Sequence, residues 1–482
     1  MKNRFIYILF ISLGFWSCND FLDVEPDLQV SLNEQLSTKE GVLQAYNGIY
    51  RDIESLMSSN YILYADALGG NIAYTPNSTN GIVMEFNQMS EAYNFRSTET
   101  ELEFLDSYLL SYEIINQTNI LLERLNTFSF FTSEELQQLE AELLSVRAMA
   151  HYQVSLMFAQ NYNFTSDASH LGVVYNTSTI AIGEDFPARN TMAETYNLIN
   201  DDLNSALDLY TDLQLLSGPS YSYFNMQTTK ALYARIALQM NDWEIARDFS
   251  NDVINTSGIT LTATEDYVSQ WEQEVLPINE IVMEFTAPLD GDGTIVSSSI
   301  TQYYSIVQTS NVAKHSASGD LLALYSEDDI RGEMFIVQDL NTNENGVISP
   351  KPYYFTKKFQ NQAGTTFIRL SELYLIRAEA NARLNNLDLA LADLNILRTR
   401  ANNNTLDTTN NILEEIFLER RRELAFENHL LFDIIRYKKD VIRNEDCIAT
   451  VCNLAYPSDF LIQPIPFFSI SLNQNIEQNE GY

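Results

Sequence analysis

The chain has 482 residues and a formal net charge of -37 at pH 7, because 65 acidic side chains outnumber 28 lysines and arginines. Such a charge repels nucleic acid and anionic lipid head groups, which excludes both as main partners, and it disfavours a highly anionic polymer as ligand. Hydrophobic residues make up 45% of the chain, and glycine and proline are sparse, so the composition predicts a packed and mainly helical protein.

The N-terminus has the pattern of a secretory signal that ends in a cysteine. Two basic residues precede an apolar stretch at residues 5–15, which is too short to cross a bilayer at about 20 residues per crossing. Ser17 then precedes Cys18, as in bacterial lipoproteins, in which the peptide is removed and the cysteine carries lipid. We predict a signal peptide at residues 1–17 and lipidation of Cys18, with an ordinary signal peptide and an incidental cysteine as the alternative. The mature chain, residues 18–482, is then a body tethered to a membrane by its acyl chains.

Five later segments place apolar residues at helical spacing and predict long amphipathic helices. They are residues 101–126, 134–160, 191–210, 228–258 and 367–401. Thr132 or Ser133 can cap the second segment, and Thr191 with Glu194 forms a capping-box pattern at the start of the third.

The last two of these segments share one layout: an alanine-rich helix, a short polar turn, and a second helix with alanine at a matching place. The turns lie at residues 241–242 and 385–386, and the matching alanines are Ala246 and Ala390. This layout resembles the helix–turn–helix unit of tetratricopeptide repeats, in which small residues let paired helices approach closely. The copies are degenerate and unevenly spaced, so a regular array is not expected.

Loop-rich stretches with many Tyr, Phe, Asn and Ser residues separate the helices, at residues 60–98, 163–190, 259–365 and 440–471. They carry short β-like runs, for example at residues 280–287. We therefore predict a mainly α fold, in which a scaffold of helical pairs carries large irregular loop insertions and a few short strands. Functional surfaces are commonly built on such loops.

Two cysteines remain besides Cys18, namely Cys447 and Cys452, with four residues between them. In an oxidising compartment a disulfide between them is favoured. The alternatives are two free thiols in a reducing cell, or half of a zinc site. Zinc needs two more ligands, and none of the four histidines clusters nearby.

Segments along nearly the whole mature chain resemble the SusD/RagB family of nutrient-binding outer-membrane lipoproteins. They are FLDVEP after Cys18, DWEIARDF, FIRLSELYLIRAEA, LNILRTRAN, IFLERRRELAFENHLLFDIIRYK and the C-terminal FLIQPIPFFSISLNQNIEQNEGY. Local departures from the family pattern occur at Asn428, Ser469, Gln474 and Glu480. The resemblance implies one SusD-like domain over the mature chain. Its repeat helices are expected at about residues 101–160, 191–258 and 367–438, and its ligand-side loops at about residues 60–98 and 259–365.

The segment at residues 416–438 places opposite charges at helical spacing beside an apolar stripe. This pattern predicts a helix that packs against the repeats, with Arg–carboxylate pairs satisfying partly buried groups. An enzymatic interpretation makes Glu423 and Glu427 an acid/base pair, but the adjacent arginines favour the ionised form of both.

The sequence contains no HExxH, GxSxG, P-loop or GxGxxG motif. The DGDGT run at residues 290–294 lacks the closing Glu of a calcium loop, so we interpret it as a turn. We therefore predict neither catalysis, nor a metal, nor a cofactor.

In the family that this sequence resembles, ligand contacts come largely from loops outside the repeats. Trp243 and Trp271 are interpreted as packing residues, so a platform for sugar rings must use Tyr or Phe. The best candidates lie in residues 60–96 and 300–320, where rings and polar side chains occur among Gly, Asn and Ser residues. The candidate ligand-binding residues are Asp66, Asn71, Tyr74, Tyr93, Arg96, Tyr303 and Tyr304.

The combined pattern predicts a non-catalytic, cell-surface lipoprotein that binds oligosaccharides or polysaccharides. The resemblance implies that it delivers them to a partner TonB-dependent β-barrel transporter of the SusC type. Its expected location is the outer membrane, lipid-anchored and facing the cell exterior. Two alternatives stay open, namely a RagB-like lipoprotein for peptide uptake and a purely structural partner of the transporter.

Overall fold

The fold is taken from a computed structural model. It describes residues 31–77, 83–84, 89–181, 183–272, 279–286, 300–306, 315–344, 347–360 and 364–482. The predicted signal peptide at residues 1–17, the lipidation site Cys18 and the DGDGT run at residues 290–294 lie outside these residues.

Helices account for most of the regular structure in the described ranges. They are α1 (Leu32–Gln35), α2 (Lys39–Met57), α3 (Tyr64–Gly69), α4 (Ser90–Tyr93), α5 (Leu105–Arg124), α6 (Ser133–Phe158), α7 (Met192–Leu209), α8 (Met226–Met240), α9 (Trp243–Thr256), α10 (Tyr267–Trp271), α11 (Thr301–Tyr304), α12 (Gly319–Leu322), α13 (Leu370–Arg383), α14 (Leu387–Arg400), α15 (Ile412–Glu423), α16 (Leu430–Arg436) and α17 (Phe467–Leu472). The strands are β1 (Ile72–Tyr74), β2 (Pro76–Asn77), β3 (Val83–Met84), β4 (Ile281–Phe285), β5 (His315–Ala317), β6 (Phe335–Glu344), β7 (Val347–Thr356), β8 (Thr365–Arg369), β9 (Val441–Ile442) and β10 (Asn453–Leu454). The predicted mainly α fold with a few short strands is confirmed.

Long helices pack against their neighbours along the chain to form the scaffold. Helix α5 packs on α6, α6 on α7, α8 on α9, and α13 on α14. Helix α9 also packs on α13, which joins the two predicted helix–turn–helix units although more than a hundred residues separate them in sequence. The scaffold is therefore a stack of helical pairs, as the alanine pattern predicts.

The turns inside the two predicted helix–turn–helix units lie where the sequence predicts them. Helix α8 is followed by Asn241 in the left-handed region (φ 62°), and Asp242 caps α9 by accepting from the Ile245 amide at 3.2 Å. Asn385 takes the same left-handed conformation (φ 63°) between α13 and α14. Asparagine tolerates this backbone better than most residues, which explains the polar turn at both positions. The alanines that face the partner helices are fully buried, namely Ala231, Ala234, Ala237, Ala246, Ala378, Ala380 and Ala390.

Side-chain caps fix the starts of two of the predicted helices. Thr132 caps α6, and its hydroxyl accepts from the Glu135 amide at 3.2 Å. Thr191 caps α7 in the same way, with the Glu194 amide at 3.1 Å. In each case the glutamate returns a bond to the backbone of the threonine, so both are capping boxes.

The described strands form five antiparallel pairs of two strands each. The predicted β-like run at residues 280–287 contains β4, which pairs with β8. Strands β6 and β7 form a hairpin with ten paired positions, from Phe335 opposite Thr356 to Glu344 opposite Val347. Neither this hairpin nor helix α2 was predicted from the sequence.

The charged segment at residues 416–438 forms α15 and α16, and its predicted apolar stripe is buried. Ile416 and Leu424 pack in a small cluster with residues of α13 and α14, and Leu431 and Ile435 belong to the main core. The prediction that this segment packs against the repeats is confirmed. Among the described helices, none is long and apolar enough to cross a membrane.

Candidate functional site

A short strand pair joins the two loop regions that are predicted to contact the ligand. Strand β1 pairs with β5, with Ile72 opposite Ala317 and Tyr74 opposite His315. Ser318 extends the pairing, because its amide donates to the Asn71 carbonyl at 2.9 Å. Two segments that are distant in sequence therefore lie side by side.

Four of the seven predicted ligand residues form a buried aromatic group with His315: three of their rings lie near its imidazole, and the ring of Tyr93 packs on that of Tyr74. The ring centroid of Tyr74 lies 5.0 Å from that of Tyr93 and 5.3 Å from the imidazole of His315. Tyr303 and Tyr304 lie 6.1 and 6.4 Å from the same imidazole. All four side chains are at most 3% exposed. In this conformation the four rings are part of the core, and a ligand could reach them only after their neighbours move.

Asp66 and Asn71 form a buried polar contact between α3 and the loop before α16. The Asp66 carboxylate accepts from the Asn71 amide at 2.6 Å and from the backbone amide of Asn428 at 2.7 Å. Arg421 donates to the side-chain oxygen of Asn71 at 2.9 Å. Burial raises the pKa of Asp66 to about 6, although the hydrogen bonds from Asn71 and Asn428 oppose the shift. These contacts hold two segments together.

Arg96 differs from the other six predicted residues because its side chain is 54% exposed. Its Nε lies 2.7 Å from the Oε2 of Glu91. An exposed ion pair of this kind contributes little to stability, so the guanidinium can turn toward a ligand at small cost. The ligand-binding roles of all seven residues stay predictions; the structure separates them into six buried side chains and one exposed side chain.

A disulfide between Cys447 and Cys452 closes a loop beside the Tyr93 segment. The buried guanidinium of Arg443 lies 4.0 Å above the Tyr93 ring and 4.8 Å above the Phe95 ring. It also donates to the Tyr93 carbonyl at 2.9 Å and to the Cys452 carbonyl at 3.0 Å. Arg443 thus ties the disulfide loop to the segment that contains two of the predicted ligand residues.

Glu423 and Glu427 lie in a buried network of charges. Glu423 accepts from Arg369 at 2.7 Å and from Arg400, and Glu427 accepts from Arg369 at 2.8 Å and from Lys358 at 2.5 Å. Burial by itself raises both pKa values, but Arg400 and Arg369 outweigh it and hold the pKa of Glu423 well below its usual range. Arg369 and Lys358 likewise lower the pKa of Glu427. Both carboxylates stay ionised, as predicted, so neither is poised to donate a proton.

The two tryptophans among the described residues pack as predicted. Trp271 is 1% exposed, and the ammonium of Lys358 lies 5.1 Å from its ring. Trp243 is half-buried, and the guanidinium of Arg383 lies 5.2 Å from its ring. The prediction that a stacking platform must use Tyr or Phe is consistent with these positions.

An open cavity of about 730 Å³ lies elsewhere, between helix α6, the loop at residues 211–225 and strand β4. The half-buried rings of Tyr221 and Tyr223 line it, together with the exposed amides of Gln214 and Asn279. Its volume falls within the range of about 300–1,000 Å³ that is usual for small-molecule sites.

Hydrogen bonds within the loop at residues 211–225 fix its shape. The Tyr223 hydroxyl donates to the Ser217 carbonyl at 2.8 Å, and its ring meets the Tyr50 ring edge-on at 5.0 Å. The Phe224 amide donates to the Tyr50 hydroxyl at 2.9 Å. Asn225 caps helix α8 and also donates to the Ser220 carbonyl at 3.1 Å.

Glu142 adds a buried carboxylate to the cavity lining. It accepts from Tyr46, from Gln138 at 2.8 Å and from Tyr50 at 3.3 Å. Burial raises its pKa to about 7, although the hydrogen bonds from Tyr46 and Gln138 oppose the shift. Its oxygens are therefore engaged by neighbouring side chains.

The sequence-based prediction did not include Tyr221 and Tyr223. Their segment, SGPSYSYFN at residues 217–225, lies between two predicted helices and outside the four predicted loop regions. A Gly-Pro-Ser run with two tyrosines between two helices is the signal that could have identified it.

Comparison with protein families gives two matches that together span most of the chain. The model of the SusD family matches residues 296–482, and a model described as starch-binding associating with outer membrane matches residues 20–238. No curated protein matches the chain.

Solved structures similar to this chain cover nearly all of it. A SusD superfamily protein from Bacteroides thetaiotaomicron VPI-5482 has a TM-score of 0.79 and 24% identity, over 91% of this chain and 99% of that one. A putative sugar binding protein from Bacteroides vulgatus ATCC 8482 has a TM-score of 0.77 and 23% identity, over 92% and 98%. A SusD-like carbohydrate binding protein from the same organism has a TM-score of 0.73 and 21% identity, over 91% and 97%. At these identities the likeness establishes the fold.

Proposed function

Since the chain belongs to the SusD family, we propose that it is a non-catalytic binding protein that captures oligosaccharides at the cell surface and delivers them to a TonB-dependent transporter. The family as described binds starch and associates with the outer membrane. Capture of a specific glycan and its delivery to a SusC-like partner are the parts that this proposal adds.

The observation that carries the proposal is the match of residues 20–238 to the starch-binding family model. Two structures with the same fold are described as a putative sugar binding protein and a SusD-like carbohydrate binding protein, which supports a sugar ligand. The ionised state of Glu423 and Glu427 supports a non-catalytic role, because a glycosidase needs one protonated carboxyl.

Lipidation of Cys18 is proposed as the means of attachment, after removal of residues 1–17. The mature chain then forms one domain at the outer membrane, with its body facing the cell exterior. Each buried CH₂ of an acyl chain contributes about 0.8 kcal/mol to membrane binding, so an anchor with two or more chains holds the protein durably on the membrane.

The direct test is calorimetric titration of the purified protein with a panel of neutral and charged polysaccharides, and in parallel with peptides. We expect binding of at least one glycan and no binding of peptides. Binding of peptides alone would refute the sugar ligand and favour the peptide-uptake alternative.

The transporter is tested separately, by affinity purification of the lipidated protein from solubilised outer membranes. We expect a TonB-dependent β-barrel protein to co-purify. If glycan binding is intact and no barrel protein co-purifies, the delivery part of the proposal is wrong and the binding part stands.

A further inference from the structure

We propose that the cavity bordered by Tyr221 and Tyr223 binds a short neutral oligosaccharide. The inference rests on the proposed glycan binding and adds a position and a charge requirement for the ligand. None of the seven ligand residues predicted from the sequence lines this cavity. It is therefore a site separate from the loops around His315.

Tyr221 supplies the ring surface and a hydroxyl that the fold leaves available. It lies in the short turn at Ser220–Ser222, which packs against strand β4, and its side chain is half-buried. Among the described residues its hydroxyl has no hydrogen-bond partner, whereas the Tyr223 hydroxyl is held by the Ser217 carbonyl. A sugar offers apolar C–H faces and hydroxyls together, which suits a partly exposed ring with a polar tip.

Amide groups around the cavity add hydrogen-bonding capacity. Gln214 donates through its amide nitrogen to the carbonyls of Leu216 and Gly218, at 2.7 and 2.8 Å. These bonds fix the side chain and leave its oxygen as an acceptor. Asn279 is exposed at the cavity, and its amide can both donate to and accept from a ligand hydroxyl.

The charges at the cavity disfavour an anionic ligand. None of the described residues that line it is Lys or Arg, and the exposed carboxylate of Asp212 repels anions. The other carboxylate, Glu142, is occupied by Tyr46, Tyr50 and Gln138. A buried acid whose oxygens are already bonded is a poor partner for a ligand ammonium, so an uncharged polyol fits the lining best.

Hydrogen bonds and ring packing hold the loop around Tyr221 in place before any ligand arrives. Tyr223 is fixed by Tyr50 and Ser217, and Asn225 caps α8 with its side-chain oxygen on two backbone amides. Because the loop is already ordered by these bonds, ligand binding loses little conformational entropy there.

The test is calorimetric titration of the purified protein with neutral gluco-, manno-, xylo- and fructo-oligosaccharides, and with an acidic oligosaccharide such as oligogalacturonate. Tyr221→Ala should weaken binding of the neutral ligand about tenfold, since it removes an aromatic anchor. Tyr221→Phe keeps the ring and should retain most of the affinity. Phe468→Ala is the matched control, because Phe468 is 57% exposed on α17 and does not line the cavity.

A second variant fills the cavity without removing a ring. Asn279→Arg places a long cationic side chain at the cavity and should reduce binding of the neutral oligosaccharide about tenfold as well. If each variant has the same melting temperature as the wild type, the change in affinity is local and not a consequence of unfolding.

The outcomes separate this site from the wider proposal. If the wild-type protein binds a glycan and both Tyr221→Ala and Asn279→Arg bind it equally well, the cavity is not the site and glycan binding stands. If the wild-type protein binds no glycan, both proposals are wrong. Equal affinity for oligogalacturonate, or a peptide whose binding is lost in Tyr221→Ala, would overturn the assignment of a neutral sugar.

Discussion

Glu284 is a buried carboxyl group whose removal should stabilise the protein. Its side chain lies on strand β4 and is 2% exposed, and its Oε2 has no hydrogen-bond partner among the described residues. Burial raises its pKa from 4.5 to about 7, and no cation among the described residues opposes the shift. Glu284→Gln replaces the acid with a neutral group of nearly the same shape.

The stability gained by Glu284→Gln depends on pH, and the raised pKa of Glu284 determines the direction of this dependence. Below pH 4.5 the carboxyl is protonated in both the native and the unfolded state, so the variant and the wild type should be equally stable. Between pH 4.5 and about 7 the unfolded state ionises while the native state keeps its proton, so the free energy of unfolding of the wild type falls. Above pH 7 the difference corresponds to about 3 kcal/mol in favour of the variant.

Denaturant titrations followed by circular dichroism, at pH 4.5 and well above pH 7, measure this difference. The reasoning is refuted if the stability of Glu284→Gln relative to the wild type does not change with pH, or if the variant is the less stable protein above pH 7. Either result would mean that the native carboxylate is solvated or paired.

Glu372→Gln is the matched control for this experiment. Glu372 is buried to the same degree, but its carboxylate lies 2.6 Å from the guanidinium of Arg235, which lowers the pKa despite burial. Removing it leaves a buried arginine without its partner, which costs about 3–5 kcal/mol. The same substitution should therefore have opposite signs at Glu284 and Glu372 above pH 7.

Three further predictions concern the anchor, the disulfide and two glycines. Cys18→Ala should abolish surface display, measured by antibody labelling of intact cells, while calorimetry finds the ligand affinity of the purified protein unchanged. Replacing both cysteines of the disulfide at residues 447–452 with serine should lower the free energy of unfolding by about 2 kcal/mol, measured in denaturant, because the bridge closes only a short loop. Gly69→Ala should destabilise by about 1–3 kcal/mol, since a Cβ there would lie 2.7 Å from Leu430 Cγ. Gly48→Ala should instead stabilise helix α2 by about 0.5–1 kcal/mol, because no described atom lies within 4 Å of the added carbon. Thermal unfolding measures both variants, and a higher melting temperature for Gly69→Ala than for Gly48→Ala would contradict both predictions.

Local signals in the sequence sufficed for most of the helices. A threonine followed three residues later by glutamate fixes the start of α6 and of α7, and asparagine at the turns fixes the ends of α8 and α13. Helix α2 carries the same kinds of signal in its sequence, namely the cap Thr38 and apolar residues at helical spacing.

The hairpin of β6 and β7 is not evident from the sequence, because it lies in a stretch of irregular composition. The sequence between Glu344 and Val347 is Asn-Gly, a strong signal for a two-residue turn, and Glu344 pairs directly with Val347 in the strand register. Two prolines in β7, Pro350 and Pro352, weaken the strand pattern and obscured the prediction.

Burial of the candidate ligand residues could not be predicted, because it depends on contacts between distant segments. Tyr74 and His315 meet only because β1 pairs with β5, and no local pattern specifies that pairing. A tyrosine in a Gly- and Asn-rich stretch looks the same in sequence whether it closes a core or faces a ligand. Tyr221 and Tyr223, by contrast, stay accessible because the loop that holds them is fixed by its own backbone carbonyls.

The distribution of charge connects the composition to the proposed ligand. In the described residues, twelve lysines and arginines are buried and thirteen aspartates and glutamates are buried, so the interior is nearly balanced. Most of these arginines pair with acids inside the fold, as Arg147 does with Asp202 at 2.6 Å and Arg331 with Asp329 at 2.7 Å. Nearly all of the net charge of -37 therefore lies outside this core, where acidic side chains far outnumber lysines and arginines. A surface of this kind repels anionic polymers over the distance of a Debye length, about 8 Å at physiological salt, so it opposes the approach of an uncharged glycan less than that of an anionic one.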